Sequence, residues 1–519
     1  MPRGGNRNPN GSNSKLPSPP DEIIKPLLEY YSGELNKSDK DVVKLLRKHY
    51  DVSKFNMEVK TVYRKRKAFG IQSTRQQAHS FDTIAAPIAE IRSRFPSRGA
   101  EAMTATLRTD YKMKVSNKLV RDYLKQVEPE QVARRKKMRF KRKRFYAAGV
   151  NDVWAQDQHD KWGRFGLWLH NGIDPFTGYN NWMKIWWTNS NPRLITKYYL
   201  DACRLMQGVP MITQSDPGTE NYGVANVQTI IRQTLDPTLV GTMQHRFMRK
   251  HNNVKSEGNW SILRRTWSEG FENLFDWGVN NGLYDPDNPL ERLVFLWLAI
   301  PWLQAELDSW SLQRNRVPPR ADKNKVIPQG IPELIRLHPE DYKTKDFMVC
   351  VPALLFDELE AKYAPQDHEV FQLTPPAFDS QASIYYDSIG TPPVSSATFW
   401  SVYQSLLDCF RAPGAISDDV TAILEDVENR CTRLSKESID LLPNNIALRP
   451  GQGGPGQMFH SSSLVENTKS EDGVNDQSLY ALFTDDEGSE EDEEDENSAT
   501  TMNSIYAKFT DDEDSGNDE

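Results

Sequence analysis

The distribution of tryptophan most tightly constrains how this chain can fold. All thirteen tryptophans lie after residue 150, and twelve of them fall between Trp154 and Trp310. Large aromatic side chains at this density need a well-packed interior. The main core of the 519-residue chain is therefore predicted in its middle third.

The order of predicted elements in this middle region indicates an α/β fold. Three consecutive strands are predicted over 153–158, 167–174 and 180–188, because these runs are rich in strand-forming residues and are separated by turn residues. A helix opened by Pro192, a short strand over 210–215, another helix, a strand and two long helices over 256–279 and 291–310 follow. Three strands followed by alternation are typical of a sheet with an antiparallel section.

The region 21–130 is predicted to be helical, with two sets of three amphipathic helices. Each set has the pattern of a helix-turn-helix unit, which would bind DNA. Ser116 is the expected N-cap of the last helix. The predicted buried stripes of the first unit are Val42, Leu45 and Leu46, then Val59, Val62 and Tyr63. The alternative for the first unit is a generic three-helix bundle with a solvated basic face.

Charge is segregated along the chain. The net charge is +19 over residues 1–150, zero over 151–340 and −27 over 341–519. Such a basic head predicts a polyanionic partner, here double-stranded DNA. The candidate DNA-contacting side chains are Arg64, Lys65, Arg66, Lys67, Arg134, Arg135, Lys136, Lys137, Arg139, Lys141, Arg142, Lys143, Arg144, Asn253 and Lys255. The run 134–144 is a phosphate-contacting linker, a nuclear import signal or both, or merely a solvated charged helix.

Composition also predicts the domain boundaries. Residues 1–20 and the acidic tail 441–519 are expected to be disordered, 131–149 to be a basic linker, 150–340 the core, and 341–440 partly helical. In the tail, SLYALFTDDEGSEED recurs as SIYAKFTDDEDSGNDE. This repeat is either a docking motif for basic nuclear proteins or a local duplication without function.

Neither a membrane protein nor a secreted protein is expected. No apolar run approaches the roughly 18 residues of a spanning helix, and the amino terminus has no apolar signal core. The four cysteines are scattered, which favours a reducing compartment. With the basic run, these features predict a nuclear location.

Three acidic residues occupy positions that can converge on one edge of a sheet. Asp157 lies near the end of the first predicted strand, Asp216 directly follows the fourth, and Glu257 begins a long helix. Carboxylates suit Mg²⁺ or Mn²⁺, and two such ions can hold both the attacking and the leaving oxygen of a phosphodiester. Taken singly, Asp157 and Asp216 also fit ordinary turn positions, and Glu257 fits the positive end of its helix.

The stretch from about 120 to 335 resembles the integrase core domain family of transposon-derived eukaryotic proteins. The residues that carry the resemblance are WAQDQHDKWGRFGLWLHNGID, TNSNPRLITKYYL, GVPMITQSDPGTENYGVANVQ and HNNVKSEGNW, with the lead-in VEPEQVARRKKMRFKRKRFYAAGVNDVW. The resemblance implies an RNase H-like fold similar to that of retroviral integrases. It also implies an Asp-Asp-Glu triad at Asp157, Asp216 and Glu257, and metal-dependent cutting of DNA ends followed by strand transfer.

Other residues of these motifs have less defined roles. Glu220 is a rival metal ligand to Glu257 and is expected to cap the following helix instead. His251 and Asn253 could touch DNA or order the loop before Glu257. His159 is a lone histidine that is either structural or supports a ligand.

Three functions remain open from the sequence. The first is a DDE-type integrase or transposase, which would act on two DNA ends and therefore at least as a dimer. The second is a domesticated, catalytically inactive DNA-binding protein, because the family's Asn-x-Arg-Ile-Glu-Arg run lacks both arginines where this chain has Asn253 to Gly258. The third is an RNase H-like nuclease that cleaves RNA–DNA hybrids.

Overall fold

The structure is a computed structural model that describes residues 16–137, 146–248, 253–320 and 326–448. Its centre is a five-stranded mixed sheet with the order β3-β2-β1-β5-β6. Two further short strands, β4 and β7, pair with each other. The strands are β1 Val153–His159, β2 Trp168–Asp174, β3 Tyr179–Trp186, β4 Gly208–Val209, β5 Ile212–Ser215, β6 His245–Phe247 and β7 Val349–Cys350.

The sheet has the mixed pairing predicted from the element order. β1 pairs antiparallel with β2, and β2 pairs antiparallel with β3. β5 lies parallel to β1 on its other side, and β6 lies parallel to β5. This is the strand arrangement of an RNase H-like fold, so the predicted fold class is confirmed.

Helices of the amino-terminal region precede the sheet. They are α1 Asp21–Leu28, α2 Asp39–Leu46, α3 Val59–Ala68, α4 Thr74–Gln77, α5 Phe81–Arg94, α6 Ala100–Thr109, α7 Asn117–Val127 and α8 Pro129–Lys137. The Ser116 hydroxyl accepts the Leu119 N–H, as expected of an N-cap. α8 ends at Lys137, so part of the predicted basic linker 131–149 is helical.

The two predicted three-helix units bury different surfaces. The stripe of Val42, Leu45 and Leu46 is buried as predicted, and it packs in a small core with α14 Pro332–Leu337. The second stripe is wrong in part, because Val62 is buried whereas Val59 and Tyr63 are exposed. The α5–α7 unit instead joins the main core. Whether either unit is a helix-turn-helix stays a prediction.

Five helices pack around the sheet or extend from it. They are α9 Pro192–Met206, α10 Tyr222–Leu235, α11 Val254–Leu263, α12 Glu269–Asn280 and α13 Pro289–Arg316. The predicted continuous helix over 256–279 is interrupted by a π-helical turn, Arg264–Ser268. Trp267 in this turn stacks on Trp162. Gly270 follows, and a side chain there would collide with the carbonyl oxygen of Arg94, so the glycine permits close packing of α12 on α5.

The carboxyl-terminal region packs on the same core. Its helices are α15 Ala353–Tyr363, α16 Pro376–Ser388, α17 Phe399–Arg411 and α18 Asp418–Ser435. Side chains from all four belong to the main hydrophobic cluster. Trp186 Nε1 donates to the Val370 carbonyl at 2.9 Å, which ties the segment to β3.

Two boundaries differ from those predicted by composition. Pro19 is buried, and the Pro17 carbonyl accepts the Asn56 N–H at 3.0 Å, so the chain is ordered before residue 20. Residues 441–448 also contact the core, where the Ile446 carbonyl accepts the Met243 N–H at 3.0 Å. Backbone pairing and burial of proline and leucine offset the polar composition of these segments. The acidic repeat lies outside the described residues. Among the described helices, none has the length and apolar character needed to cross a membrane.

Candidate functional site

The register of two parallel strands brings the first two predicted carboxylates to one edge of the sheet. Ala155 on β1 lies opposite Gln214 on β5. Asp157 follows Ala155 by two residues, and Asp216 follows Gln214 by two. Because strands rise at a nearly constant length per residue, the two aspartates reach matching positions at the carboxyl ends of β1 and β5.

The helix that carries the third carboxylate is joined to β1 through a tryptophan. Glu257 lies in the first turn of α11, and Trp260 follows three residues later. Trp260 Nε1 donates a 3.0 Å hydrogen bond to Oδ2 of Asp157. Its ring stacks on His159 with the ring centroids 5.0 Å apart. Residues three apart share a helix face, so Glu257 and Trp260 are directed to the same side of α11.

The electrostatics of Asp157 connect all three acids. Burial, followed by repulsion from the Asp216 carboxylate, raises the pKa of Asp157 from 3.8 to about 7. Hydrogen bonds from the Gln158 N–H and from Trp260 oppose this rise, and the charge of Glu257 adds to it. The Asp216 and Glu257 carboxylates are therefore both near enough to repel the charge of Asp157, and a cation beside Asp157 would relieve that repulsion.

Buried amides fix the backbone around these acids. Asn253 is fully buried just before α11, where its Nδ2 donates to the Gln156 carbonyl at 2.8 Å. Its Oδ1 accepts from Gln214 Nε2 at 3.4 Å. The suggested contact between Asn253 and DNA is therefore wrong, because both ends of its amide bond the sheet. Asn253 instead ties the start of α11 to β1 and β5.

A second amide holds the loop after β5. Asn221 Oδ1 accepts from Gln156 Nε2 at 2.8 Å, and its Nδ2 donates to the Asp216 carbonyl at 3.2 Å. The same Nδ2 donates to Oε1 of Glu220 at 2.9 Å. Within the described residues, Glu220 makes no hydrogen bond to the backbone of α10, so its predicted capping role is wrong. Its carboxylate is held by Asn221 beside the Asp216 loop.

The sequence interpretation missed two side chains at this edge. One is Trp260, since tryptophan is not itself a signal for an acidic site. The other is Asn171, which lies directly opposite Asp157 on β2 and is fully buried. Within the described residues, neither Oδ1 nor Nδ2 of Asn171 has a hydrogen-bond partner. A buried amide without partners is costly, so Asn171 is an available polar group beside Asp157.

The chemistry of this site suits a hard divalent cation. Asp157, Asp216 and Glu257 offer oxygen ligands and mutually repelling charges. Nowhere in the described chain do three or more His, Cys, Asp or Glu side chains already stand at metal-binding spacing. Mg²⁺ commonly binds through one or two carboxylates and keeps several waters, so the two strand-end aspartates fit such an ion, with Glu257 on a separate element.

Predicted DNA-contacting residues on α3 do not share one environment. Arg64 and Lys67 are exposed. Lys65 forms an ion pair with Asp21. Arg66 is buried, and its Nε lies 3.1 Å from a carboxylate oxygen of Asp39. Arg66 therefore holds α2 against α3, which corrects the expectation that it faces a DNA backbone.

The second basic group is described only in part. Arg134 on α8 is exposed, whereas Arg135 pairs with Glu128 at 2.6 Å. Lys136 and Lys137 end α8. Lys255 is half-buried on α11. Arg139, Lys141, Arg142, Lys143, Arg144 and His251 lie outside the described residues.

Comparison with known proteins gives one family. Residues 145–332 match the sequence model of the integrase core domain. The match covers the five-stranded sheet and α9 to α13. It begins at residue 145, within the lead-in segment, whereas the resemblance was expected to begin near residue 120. A search of curated proteins found no match to the chain. Integrase core domains generally bind DNA and use divalent metals. From its strand order, its carboxylate-bearing edge and this match, the segment 145–332 belongs to the integrase core domain family.

Proposed function

We propose that this chain is a DDE-type polynucleotidyl transferase that cuts DNA ends and joins the freed 3′-hydroxyl to target DNA. The observation that carries the proposal is the geometry of the sheet edge, where Asp157 and Asp216 reach matching strand positions and Trp260, on the helix of Glu257, donates to Asp157. In keeping with this, desolvation and the Asp216 and Glu257 carboxylates raise the pKa of Asp157 to about 7. Clustered carboxylates with a perturbed pKa are typical of functional sites. The integrase core assignment gives this site its reaction class.

Each residue of the site has a specific task in this proposal. Asp157, Asp216 and Glu257 would hold the Mg²⁺ or Mn²⁺ ions. When bound, such ions would neutralise charge on the phosphodiester and lower the pKa of water. Trp260 orients Oδ2 of Asp157 through its hydrogen bond. Asn253 and Asn221 hold the two backbone segments that carry Glu257 and Asp216.

The bonds exchanged require no covalent enzyme intermediate. In the first step, water adds to phosphorus, the bond to the 3′-oxygen breaks, and a free 3′-hydroxyl and a 5′-phosphate result. In the second step, that 3′-hydroxyl adds to a phosphorus of the target, and the target's own 3′-oxygen leaves. Because the pKa of Asp157 is raised to about 7, this residue holds a proton below that pH, and a cation held there would compete with the proton and would be held more tightly as the pH rises.

The decisive experiment uses the full chain, a labelled DNA duplex, and Mg²⁺ or Mn²⁺. Asp216→Asn should abolish metal-dependent cleavage and strand transfer while DNA binding survives, because only the ligand charge is removed. Asp276→Asn is the matched control, since this exposed aspartate pairs with Arg164 on the surface at 3.0 Å. Asp216→Asn protein that cuts and joins like the parent would overturn the assignment.

The rival carboxylate needs its own variant. Glu220→Gln removes a charge near the Asp216 loop but keeps a side chain that can bond Asn221. Activity should survive in Glu220→Gln and be lost in Glu257→Gln. The reverse result would move the third ligand to Glu220. An RNA–DNA hybrid offered beside the duplex should be cut less well; preferential cutting of the hybrid would favour an RNase H-like nuclease.

A catalytically inactive DNA-binding protein is the second candidate. It is favoured by the lack, among the described side chains, of a three-ligand group at metal-binding spacing. Salt-dependent DNA binding without nicking at any concentration of Mg²⁺ or Mn²⁺ would select it. In both cases we propose a nuclear location, self-association for the handling of two DNA ends, and contact of the acidic 441–519 segment with basic proteins, all from the charge distribution.

A further inference from the structure

A cavity of about 290 Å³ lies between the amino-terminal helices and the integrase core. Its walls come from α6, from α11 with the π-helical turn, and from the end of α13. Ile262 in this wall follows Glu257 by five residues, which is about 140° around a helix. The cavity therefore lies on a different side of α11 from the carboxylates, and it is distinct from the site described above.

Arg98 is a buried cation in the wall of this cavity. Its residue is only 2% exposed, and its guanidinium lies over the Phe95 ring at 3.7 Å. Nε donates to the Thr266 carbonyl at 3.2 Å, and Nη1 donates to Thr106 and Gln313. The remaining nitrogen, Nη2, takes no part in these bonds. No described carboxylate forms an ion pair with Arg98; the charges of Asp110 and Glu306, which pair with Arg94, act on it from a greater distance.

Arg314 is a second cation in the same wall. Within the described chain it forms no ion pair and no hydrogen bond, and its Nε is buried without a partner. Burial lowers the pKa of Arg314, and it lowers the pKa of Arg98 to about 9. Arg314 is half-buried as a residue, and a buried guanidinium nitrogen without an acceptor is costly. A bound anion would supply an acceptor.

The rest of the lining defines the shape and charge of that anion. Arg320 adds a third, exposed cation, and among the described lining residues Glu101, also exposed, is the one carboxylate. Ile262, Trp310 and Pro318 give an apolar wall. Three guanidinium groups against one carboxylate suit a dianion, and guanidinium binds phosphate through paired hydrogen bonds. The apolar wall requires a flat apolar body on the same ligand.

We propose that this cavity binds a phosphate monoester with a flat apolar body, which is the chemistry of a mononucleotide. Arg314 and Nη2 of Arg98 contact the phosphate, and the wall around Trp310 contacts the base. The volume of about 290 Å³ lies at the small end of ligand pockets, so it takes one nucleotide unit. That unit is either a free nucleotide or the 5′-phosphorylated end of a DNA strand.

The test measures binding to the full chain by equilibrium dialysis with three probes. These are dAMP, a short single strand with a 5′-phosphate, and the same strand without it. Arg314→Gln should weaken dAMP binding by about tenfold or more if the source is the free nucleotide. If the source is a strand end, Arg314→Gln should remove the advantage of the 5′-phosphorylated strand over the unphosphorylated one. Either result supports the proposal.

Two further variants separate binding from folding. Arg433→Gln removes an equal charge from an exposed position on α18 and should leave all three affinities unchanged. Ala102→Leu fills the cavity from α6 and should block binding while the melting temperature is kept or raised. Affinities for dAMP and for the 5′-phosphorylated strand that are indifferent to Arg314→Gln and to Ala102→Leu, in protein with an unchanged melting temperature, would overturn the proposal.

Discussion

Two polar sites lie on different sides of α11, and they carry charge of opposite sign. Carboxylates gather at one site and guanidinium groups at the other. At the sheet edge, Asp157 is half-buried near two further carboxylates and its pKa rises to about 7. Across the helix, Arg98 and Arg314 line a cavity, and neither forms an ion pair with a described carboxylate. At both sites, charges of the same sign lie near one another and partly removed from water, which costs folding free energy. Each site therefore needs a ligand of opposite charge: a cation at the sheet edge and an anion in the cavity.

The largest expected effect is a difference in stability between variants of the two arginines, because Arg98 has a structural role and Arg314 a binding role. Arg98→Met removes hydrogen bonds to Thr266, Thr106 and Gln313. Since buried acceptors left without donors are costly, we expect a loss of about 3 kcal/mol in the free energy of unfolding. Arg314→Gln should change that free energy by less than about 0.5 kcal/mol. Urea denaturation of both proteins measures the difference.

Equal losses in the two arginine variants would contradict this contrast. They would mean that Arg314 also supports the fold. The assignment of a structural role to Arg98 and a ligand-binding role to Arg314 would then be wrong.

The next effect tests the repulsion at the sheet edge. Because the pKa of Asp157 is raised from 3.8 to about 7 in the folded protein, its stability falls as the pH rises through that interval. Asp157→Asn removes the charge, and without metal it should stabilise the fold by about 2 kcal/mol at pH 8. Near pH 4 the gain should vanish, since the wild-type carboxyl is then protonated.

Urea unfolding of the metal-free protein at both pH values measures this gain. Asp276→Asn serves as control, because that carboxylate is exposed and paired with Arg164. A stability of Asp157→Asn that tracks the parent at both pH values would show that the aspartate is not strained by its neighbours.

The smallest effect concerns the link between α11 and Asp157. Trp260→Phe keeps a ring that can stack on His159 but loses the N–H that lowers the pKa of Asp157. The pKa should therefore rise further, and the pH at which Mg²⁺ half-maximally stabilises the protein should increase by about 0.5. Thermal melting with and without Mg²⁺ across this pH range measures it.

Trp297→Phe is the matched control for this change. Trp297 also donates to a carboxylate, Asp379, at 2.8 Å, but on a different part of the surface. A similar displacement of the pH midpoint in both variants, or in neither, would remove Trp260 from the metal site.

Local patterns were reliable where periodicity and burial agree. The three consecutive strands, the helix opened by Pro192 and the Ser116 N-cap all follow from short stretches of sequence. The prediction of a continuous helix over 256–279 was wrong near its middle, where the π-helical turn Arg264–Ser268 lies. There, Trp267 stacks on Trp162 and the Thr266 carbonyl bonds Arg98, so contacts far along the chain stabilise a π-helical turn.

The environment of each basic side chain also depends on contacts between distant segments of the chain. A run such as Arg64 to Lys67 predicts positive charge on a helix, but not which side chains face solvent. Arg66 lies against Asp39, while Arg64 remains exposed. Asn253 was expected to touch DNA or to order the loop before Glu257, and its amide bonds β1 and β5 and so orders that loop. Composition carries no information about such pairings.

The sequence by itself determined the mixed α/β core, the order of its elements along the chain and the three acids as candidates, because periodicity and residue type act over a few neighbouring positions. Only the tertiary structure decided that Trp260 binds Asp157, that Asn171 is buried opposite it, and that Arg98 and Arg314 share a cavity. The reason is physical: burial, desolvation and hydrogen bonding depend on which distant segments come together, and residue spacing along the chain does not encode that.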